Sequence, residues 1–592
     1  MEKEELLEPL KMYNSKLKDA HHQNAVDFFN ELIKKSQLNE NLNIETCNKY
    51  YKKCDEIEEV AKKLNSKKAL KAFLIFLTII LFVVALVFVV FCFNDTLELY
   101  INIPVACACG LGGILMCIFA FKPINLAIKS FEQQKAKLEE EATSLKNEAY
   151  IQMAPLNDLY DWNIASQLFT KTCPLIEMDK FLDTKKFQYL HEKYGLNDNT
   201  DINQSTVAVQ SGSILGNPFI LRENFVTEMG SHTYFGSITI YWTTTETDSN
   251  GHSRTVTHSQ VLTASLTKPK PFYYDDTWLI YGCDAAPRLS FSRKPSDANR
   301  MSDKEIEKKT KKFNKVLDKK VKDSLTDDDP STFTRMYNTE FEMLFNALDR
   351  DNDVEFRLLF TPLAQKSMLD LIKTNEPYGD DFYFYKRKQL NFVKSLHAQS
   401  PNFDFFANPI QFYNFDVTKA RDYFVDFNDR YFKSFYFNMA PLLCIPLYQQ
   451  TKSREYIYKS DYPSNIAAYE HEVSANQFDV KLFSHPETVT SSILKTHFVN
   501  KNNNRDSVEV TAYSYKTIPH IDYIPMMGRD GHMHDVPVEW YEYVPLEQKS
   551  LINVEEKAQT RSEYRNNKSN NSAISVFERG ILGTFIKNFD NN

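Results

Sequence analysis

Two long apolar runs near the start of the chain dominate its pattern of hydrophobic and polar positions. Residues 72–93 read AFLIFLTIILFVVALVFVVFCF, which is 22 residues without a charge. A helix of that length extends about 33 Å and can cross the hydrocarbon core of a bilayer. A second run, residues 101–121, reads INIPVACACGLGGILMCIFAF, and its small residues four apart would let two membrane helices approach closely. The pattern predicts a transmembrane helical hairpin over residues 72–121, held in the lipid bilayer; buried core helices are the alternative.

Charged residues around the two runs predict how the hairpin crosses the membrane. Five lysines crowd residues 62–71 before the first run, and four lysines follow the second run between residues 122 and 137. The connection NDTLELY holds Asp95 and Glu98 but no basic residue. Because cytoplasmic flanks carry the excess of Lys and Arg, both termini are expected in the cytoplasm. Nine scattered cysteines, without a CxxC pair outside the runs, suit that reducing compartment.

The segments on either side of the runs, residues 1–71 and 122–152, carry apolar residues at alternating three- and four-residue intervals. Such spacing forms a stripe along one side of a helix, and each stripe covers about two heptads. The pattern predicts a cytoplasmic helical segment and a returning helix that pair as a coiled-coil-like stalk; two amphipathic helices lying on a soluble domain are the alternative. The stripe residues are Cys47, Tyr50, Cys54, Ile57, Ala61 and Leu64, then Phe131, Lys135, Leu138, Ala142, Leu145 and Ala149.

From residue 153 onward, short alternating segments predict a large cytoplasmic α+β region rich in antiparallel hairpins. Residues 153–300 are predicted to be β-rich, with a long Thr-rich hairpin over 232–267 that turns at residues 248–251. Residues 301–450 are predicted to be mixed and to open with a helix capped by Ser302 and Glu305. The lysines of that helix are expected to form a solvated face.

Residues 451–592 are predicted to be a β-rich C-terminal extension. Apolar and aromatic residues alternate in its segments, and a second long hairpin is expected to turn at residues 529–531. The final apolar segment, SVFERGILGTFI, is expected to dock as a short helix.

Residues 335–395 contain YNTEFEMLFNALDRDNDVEFRLLFTPLAQKSMLDLIK and then FYFYKRKQLNFV. We interpret them as a strand ending near an acidic pair, a short helix, Thr361-Pro362, a second helix and a strand with a polar turn. This order resembles an uncharacterised family of bacterial membrane proteins with two transmembrane helices and a cytoplasmic domain of unknown function. The resemblance covers roughly residues 20–440, and its specific part is Leu359 to Pro362. It implies this architecture and a bacterial cell membrane location, and it lends no catalytic residue.

Composition narrows the possible functions. The formal net charge is -8, with 70 Lys and Arg against 78 Asp and Glu, which gives no support for nucleic acid as a partner. The sequence has no GxxxxGK[ST] phosphate loop and no GxSxG nucleophile elbow. Catalytic residues are therefore unknown, and no cofactor is expected.

The weak metal candidates are His532, His534 and Asp535. Two imidazoles at alternate positions of one strand can reach the same zinc ion if a neighbouring strand, here with His520 and Asp522, supplies a third ligand. The alternative is an ordinary polar turn.

Two other patterns fail their spacing tests. Asp349, Asp351 and Asp353 have the spacing of a calcium loop, but the glycine and glutamate that such a loop needs are Val354 and Phe360. His471-Glu472 begins an HExxH motif whose second histidine is Ala475.

Three classes of function remain. A membrane-anchored interaction or scaffold protein needs no catalytic site, and the hairpin 232–267 is its expected contact with a protein partner or a second copy. A membrane-anchored metal-dependent hydrolase would use His532 and His534. An accessory subunit of a membrane transport assembly would use the small residues of the second run, although neither run has an ionisable residue.

Overall fold

The computed structural model of the protein describes residues 7–93, 99–115, 118, 121–197, 200–247, 252–324, 333–399, 401, 403–452, 465–557 and 574–589. The chain divides into two units. The first unit comprises Met1–Ala25, Asp161–Asn408 and Phe427–Asn592, and the second comprises Val26–Tyr160 and Pro409–Asp426.

Helices and strands both contribute to the fold, which is mixed α+β as predicted. The helices are α1 (Pro9–Met12), a π-helical turn (Tyr13–Leu17), α2 (Lys18–Ser36), α3 (Glu40–Phe93), α4 (Leu99–Leu115), α5 (Phe121–Asn157), α6 (Ile164–Thr172), α7 (Thr184–Tyr194), α8 (Asp303–Ser324), α9 (Thr339–Phe345), α10 (Asp353–Leu359), α11 (Pro362–Lys373), α12 (Val417–Leu443) and α13 (Ala468–Asn476). The strands are β1 (Ile176–Met178), β2 (Gln204–Ile214), β3 (Asn217–Thr247), β4 (Ser253–Gly282), β5 (Ser290–Arg293), β6 (Phe382–Arg387), β7 (Leu390–Ser395), β8 (Ile493–Asn502), β9 (Arg505–Met527), β10 (Met533–Glu556), β11 (Ser575–Glu578) and β12 (Ile581–Asn588).

Helix α3, in the second unit, contains the first apolar run within its 54 residues. Among the described residues it is the one helix long and apolar enough to cross a membrane. Only 6% of its most apolar window is buried by the rest of the chain, whereas a core helix of a soluble protein is mostly buried. The helix is thus compatible with membrane association.

The second apolar run forms α4, a helix of 17 residues in the described part of the chain. This helix approaches α3 through a small residue, because a Cβ added at Gly113 would lie 2.9 Å from the ring of Phe82. The two-span topology and the cytoplasmic termini stay predictions.

Helices α3 and α5 lie side by side and run antiparallel. Lys53 pairs with Glu141 at 3.1 Å, and Lys68, further along α3, pairs with Glu132 at 2.8 Å. The residue numbers thus rise along α3 while those of the partners fall along α5. Apolar side chains buried along the pair include Cys47, Val60, Leu64, Leu138, Ala142 and Ala149.

The first unit contains two antiparallel sheets. The larger has seven strands in the order β1-β2-β3-β4-β7-β6-β5, and the smaller has five in the order β11-β12-β10-β9-β8. Helix α13 contributes Tyr469 and Val473 to the apolar core of the larger sheet, and Ala475 to that of the smaller. Its Glu470 accepts a hydrogen bond of 2.5 Å from Arg579, which lies in the turn before β12.

Two local predictions were wrong. The strand expected before the acidic pair is helix α9, because the side chain of Asn338 accepts a hydrogen bond from the backbone N–H of Phe341 and caps a helix there. The final helix is instead the hairpin β11–β12. Its two turn residues, Arg579 and Gly580, have φ angles of 47° and 84°, which suit a tight hairpin turn.

The helix cap predicted at Ser302 was correct. The backbone N–H of Ser302 donates to Glu305 Oε2 at 2.9 Å, and the side chains of α8 that face inward include Ile306 and Leu317. The Thr361-Pro362 step likewise begins α11, where the Thr361 hydroxyl accepts from the backbone N–H of Ala364.

Candidate interaction surface on two paired ribbons

The strands β3 and β4 extend well beyond the sheet that holds them. Strand β2 pairs with β3 only as far as Val226, and β7 pairs with β4 only from Leu279 onward. Between these points β3 and β4 pair with each other and with no further strand that the structure describes, in continuous register from Met229↔Pro271 to Thr247↔Ser253. We call residues 229–247 and 253–271 the first ribbon. It includes the predicted hairpin 232–267, whose turn at 248–251 lies outside the described residues.

The strands β9 and β10 form a second ribbon in the same way. Strand β8 pairs with β9 only up to Tyr513, and β12 pairs with β10 only from Ser550 onward. Residues 514–527 and 533–549 therefore pair as strands with each other and with no third strand of the described chain, and we call them the second ribbon. Its turn falls at the predicted Arg529 to Gly531.

The two ribbons pack face to face. Alternation along each strand turns the even-numbered side chains inward, where they form a separate apolar cluster. Polar contacts flank the cluster: Lys268 pairs with Asp522 at 3.1 Å and lies 4.0 Å from the centre of the Trp540 ring. The cluster comprises Ile240, Leu262, Ala264, Val536 and Val538, with Tyr234, Ile238, Trp242, Leu266, Ile524 and Met526 packed against it.

Gly236 allows the ribbons to approach this closely. A Cβ at this position would lie 1.9 Å from the carbonyl oxygen of Pro537 and 3.1 Å from the Cα of Val538. Both obstacles are backbone atoms of the second ribbon, so neither can rotate away. Glycine is therefore required here for contact between the two backbones.

The outward face of the first ribbon is uncharged from residue 233 to residue 267 in the described part of the chain. On this stretch Phe235 is 76% exposed, Tyr241 71% and Val261 61%, and the other residues carry hydroxyl groups. Exposed apolar groups in a face without charge are typical of contact surfaces. The residues of this face are Thr233, Phe235, Ser237, Thr239, Tyr241, Thr243, Thr245, Thr247, Ser253, Thr255, Thr257, Ser259, Val261, Thr263, Ser265 and Thr267.

Prolines distinguish the edges of the two ribbons. The second ribbon has Pro519, Pro525, Pro537 and Pro545, all on its odd-numbered, outward-facing set. Proline cannot donate to its partner strand, so these positions belong to the pairs whose N–H and C=O groups point away from the ribbon. Four of the outward donors are thus missing, which blunts these edges against pairing with further strands.

The first ribbon keeps its edge donors. Its prolines, Pro269 and Pro271, lie at its base and again on the odd set, so the same positions point their N–H groups outward. Between residues 231 and 267 there is no proline. Among the described residues no third strand pairs with this part of β3 or β4. The first ribbon therefore offers two unblocked strand edges.

The metal candidates lie at the tip of the second ribbon. A hydrogen bond of 2.8 Å joins His534 Nε2 to Asp530 Oδ2, while His532 and Asp535 are exposed. His520 bonds to Glu542 at 2.8 Å. Within the described residues, no three His, Cys, Asp or Glu side chains come close enough to hold a metal ion.

The aspartates with calcium-loop spacing serve the local fold. Asp349 accepts from the backbone N–H of Ser292 at 2.9 Å, and Asp351 accepts from that of Ser290 at 2.6 Å. Asp353 forms a buried ion pair with Arg350. Each carboxylate thus has a protein partner that ties the loop to β5 or to its own helix.

His471 and Glu472, from the incomplete HExxH motif, are buried between the sheets. His471 Nε2 lies 3.2 Å from Asp506 Oδ2, and Glu472 accepts from the backbone N–H of Thr206 at 2.8 Å. Lys495 also pairs with Glu472, at 2.5 Å. These contacts hold α13 to strands of both sheets.

Sequence reasoning missed the docking of one ribbon on the other and the role of Gly236 in it. The available signal was a lone glycine inside an alternating strand pattern, which indicates a close backbone approach.

Comparisons with protein-family models, with curated proteins and with solved structures found no match.

Proposed function

We propose that the protein is a membrane-anchored interaction protein that holds a protein partner through the first ribbon. The observation that carries the proposal is the uncharged outward face with exposed Phe235, Tyr241 and Val261, on a ribbon whose inner face is already packed. Charged residues make up 25% of the chain, and soluble surfaces ordinarily have such residues distributed over them. A face without charge is therefore better explained by contact with a partner than by solubility.

In this proposal residues 72–121 cross a bacterial cell membrane as a helical hairpin with both termini in the cytoplasm. The exposure of the apolar side chains of α3 and the close approach at Gly113 support the hairpin. The antiparallel pair α3–α5 forms its coiled-coil-like stalk, supported by the ion pairs of Lys53 and Lys68 and the buried apolar residues between the helices.

The partner that fits the first ribbon is an extended, neutral segment of another protein. Such a segment adds as a strand at an edge of β3 or β4, where main-chain hydrogen bonds supply affinity. Side chains of that strand then lie beside Phe235 and Tyr241 or beside Val261, depending on the edge. A second copy of the chain could supply the segment, and this is one outcome of the test.

The test places prolines at outward-facing positions of the first ribbon, where the second ribbon already has them. A variant with Thr239→Pro and Thr243→Pro on β3 and Ser259→Pro and Thr263→Pro on β4 removes outward donors from both edges, while the ribbon's internal pairing remains. The matched control carries alanine at the same four positions. Partners cross-linked in membranes should co-purify with the alanine variant and be lost from the proline variant.

A second variant tests the face instead of the edges. Phe235→Ser, Tyr241→Ser and Val261→Thr should also weaken co-purification. The matched control, Val354→Thr, Leu358→Ser and Val489→Thr, removes the same number of exposed apolar side chains elsewhere.

Deletion of the tip, residues 246–254, should spare folding and reduce the same contacts. Full retention of every partner by all three ribbon variants would contradict the proposal. A turnover found for the purified chain in an unbiased activity screen would then favour an enzyme.

A further inference from the structure

Helix α8 carries nine lysines against five acidic residues, in a chain whose net charge is -8. All nine lysines are exposed, and Ile306 and Leu317 are buried on the opposite side of the helix. The helix is therefore fixed to the fold by one side and presents the other to its surroundings.

Six of these lysines form one straight stripe. Successive lysines of the stripe are four or three residues apart, which places them on the same side of an α-helix over about 27 Å. Other lysines of the helix border the stripe, and Val316 is the exposed large apolar residue near it. The stripe consists of Lys304, Lys308, Lys312, Lys315, Lys319 and Lys322.

Asp303, Glu307 and Asp318 of α8 form ion pairs outside the stripe, whereas Glu305 lies near enough to Lys308 to interact with its charge. Glu305 caps the helix at Ser302, Glu307 pairs with Lys311 at 2.6 Å, and Asp318 pairs with Arg335 at 3.1 Å. None of the six stripe lysines forms an ion pair with another residue that the structure describes. The six stripe lysines are thus without direct ion pairs within the described fold.

We infer that the lysine stripe of α8 binds the anionic surface of the membrane to which the chain is anchored. Clusters of four to eight Lys or Arg on an amphipathic helix are attracted by acidic headgroups when they come within about one Debye length. In the proposed function the anchor tethers the chain to a membrane, so this anionic surface has a higher effective concentration than a free acidic protein or RNA. Because the stripe side lacks aromatic and leucine side chains, contact is electrostatic and without insertion.

This inference rests on the membrane location in the proposed function. The experiment therefore uses the full chain in nanodiscs of phosphatidylcholine, with or without about 30% phosphatidylserine, a content at which the surface potential is strongly negative. Lysine reactivity towards an acetylating reagent is measured residue by residue by mass spectrometry. Exposed lysines of the C-terminal strands, Lys501, Lys549 and Lys587, serve as internal references.

Stripe lysines should react several-fold more slowly in the anionic discs at low salt, and the difference should vanish at about 0.5 M salt, where the Debye length falls towards 4 Å. Reference lysines should not change. Lys312→Glu with Lys315→Glu should restore the reactivity of Lys304 and Lys322, whereas Lys549→Glu with Lys587→Glu should not.

Equal reactivity of the stripe in neutral and anionic discs would overturn the inference and leave the membrane anchor standing. Failure of the chain to enter discs at all would overturn both. If single-stranded RNA added to the chain in neutral discs protects the stripe as strongly as anionic discs do, the stripe binds polyanions in general. That result would overturn the assignment to lipid.

Discussion

Replacing Gly236 with alanine should open the contact between the two ribbons. The added Cβ would lie 1.9 Å from the carbonyl oxygen of Pro537, where ordinary contact needs 3.4 Å or more, so one backbone must move by roughly 1.5 Å. Overpacking of this kind costs about 1–3 kcal/mol. Because the obstacle is backbone, we expect the upper part of that range.

The assay is hydrogen exchange, since the change is local and the whole chain is too large for two-state unfolding. An opening equilibrium shifted by that free energy raises exchange about 5- to 150-fold in both ribbons. Peptides covering residues 232–267 and 519–541 should show the increase, and those of α13 should not.

Gly230→Ala is the matched control in the same strand. Its Cβ would meet the ring of Phe272 at 2.8 Å, but that ring is 43% exposed and can rotate. Exchange in both ribbons that is unchanged by Gly236→Ala, or raised equally by the control, would refute the docking of the ribbons.

Three further predictions follow from the structure and the sequence. A cysteine at Thr96 should be labelled from outside intact cells and one at Thr257 should not; external labelling at Thr257 would refute the cytoplasmic assignment. Replacing His532 and His534 with alanine should leave the midpoint of thermal unfolding within about 3 °C of its original value, as for ordinary surface substitutions, with metal content measured alongside; loss of a stoichiometric metal would favour the hydrolase. Burial raises the pKa of Glu578 to about 7, so the native state holds a proton that the unfolded state releases between pH 4.5 and 7. Stability should therefore fall as pH rises through that window and level off above it, and Glu578→Gln should flatten the dependence of the melting temperature on pH. An unchanged pH profile in this variant would contradict the buried position of the carboxyl group.

The hairpins were predictable because their information is local. Alternation through Ile238, Ile240 and Trp242 identifies a strand, and the sequence Arg529 to Gly531 identifies a turn. The pairing of the two hairpins was not predictable, because about 300 residues separate Gly236 from Pro537 and no local rule connects them.

The two wrong local predictions have the same kind of cause. At residues 339–345 a short apolar segment fits strand and helix equally well, and the side-chain cap at Asn338 decides for helix. At the C-terminus, left-handed conformations at Arg579 and Gly580 fold an apolar segment into a hairpin. The buried pairing of Arg579 with Glu470 fixes that turn, and the two residues are 109 positions apart.

The neighbouring helices α3 and α4 differ in mechanical stiffness. Helix α3 runs for 54 residues, about 80 Å, without a proline or a glycine, so it has no built-in hinge. Helix α4 contains Pro104 and three glycines, Gly110, Gly112 and Gly113, each of which weakens the helix locally. Load applied to this pair should therefore bend α4 before α3, and α3 should transmit it along its length from Glu40 to its apolar end.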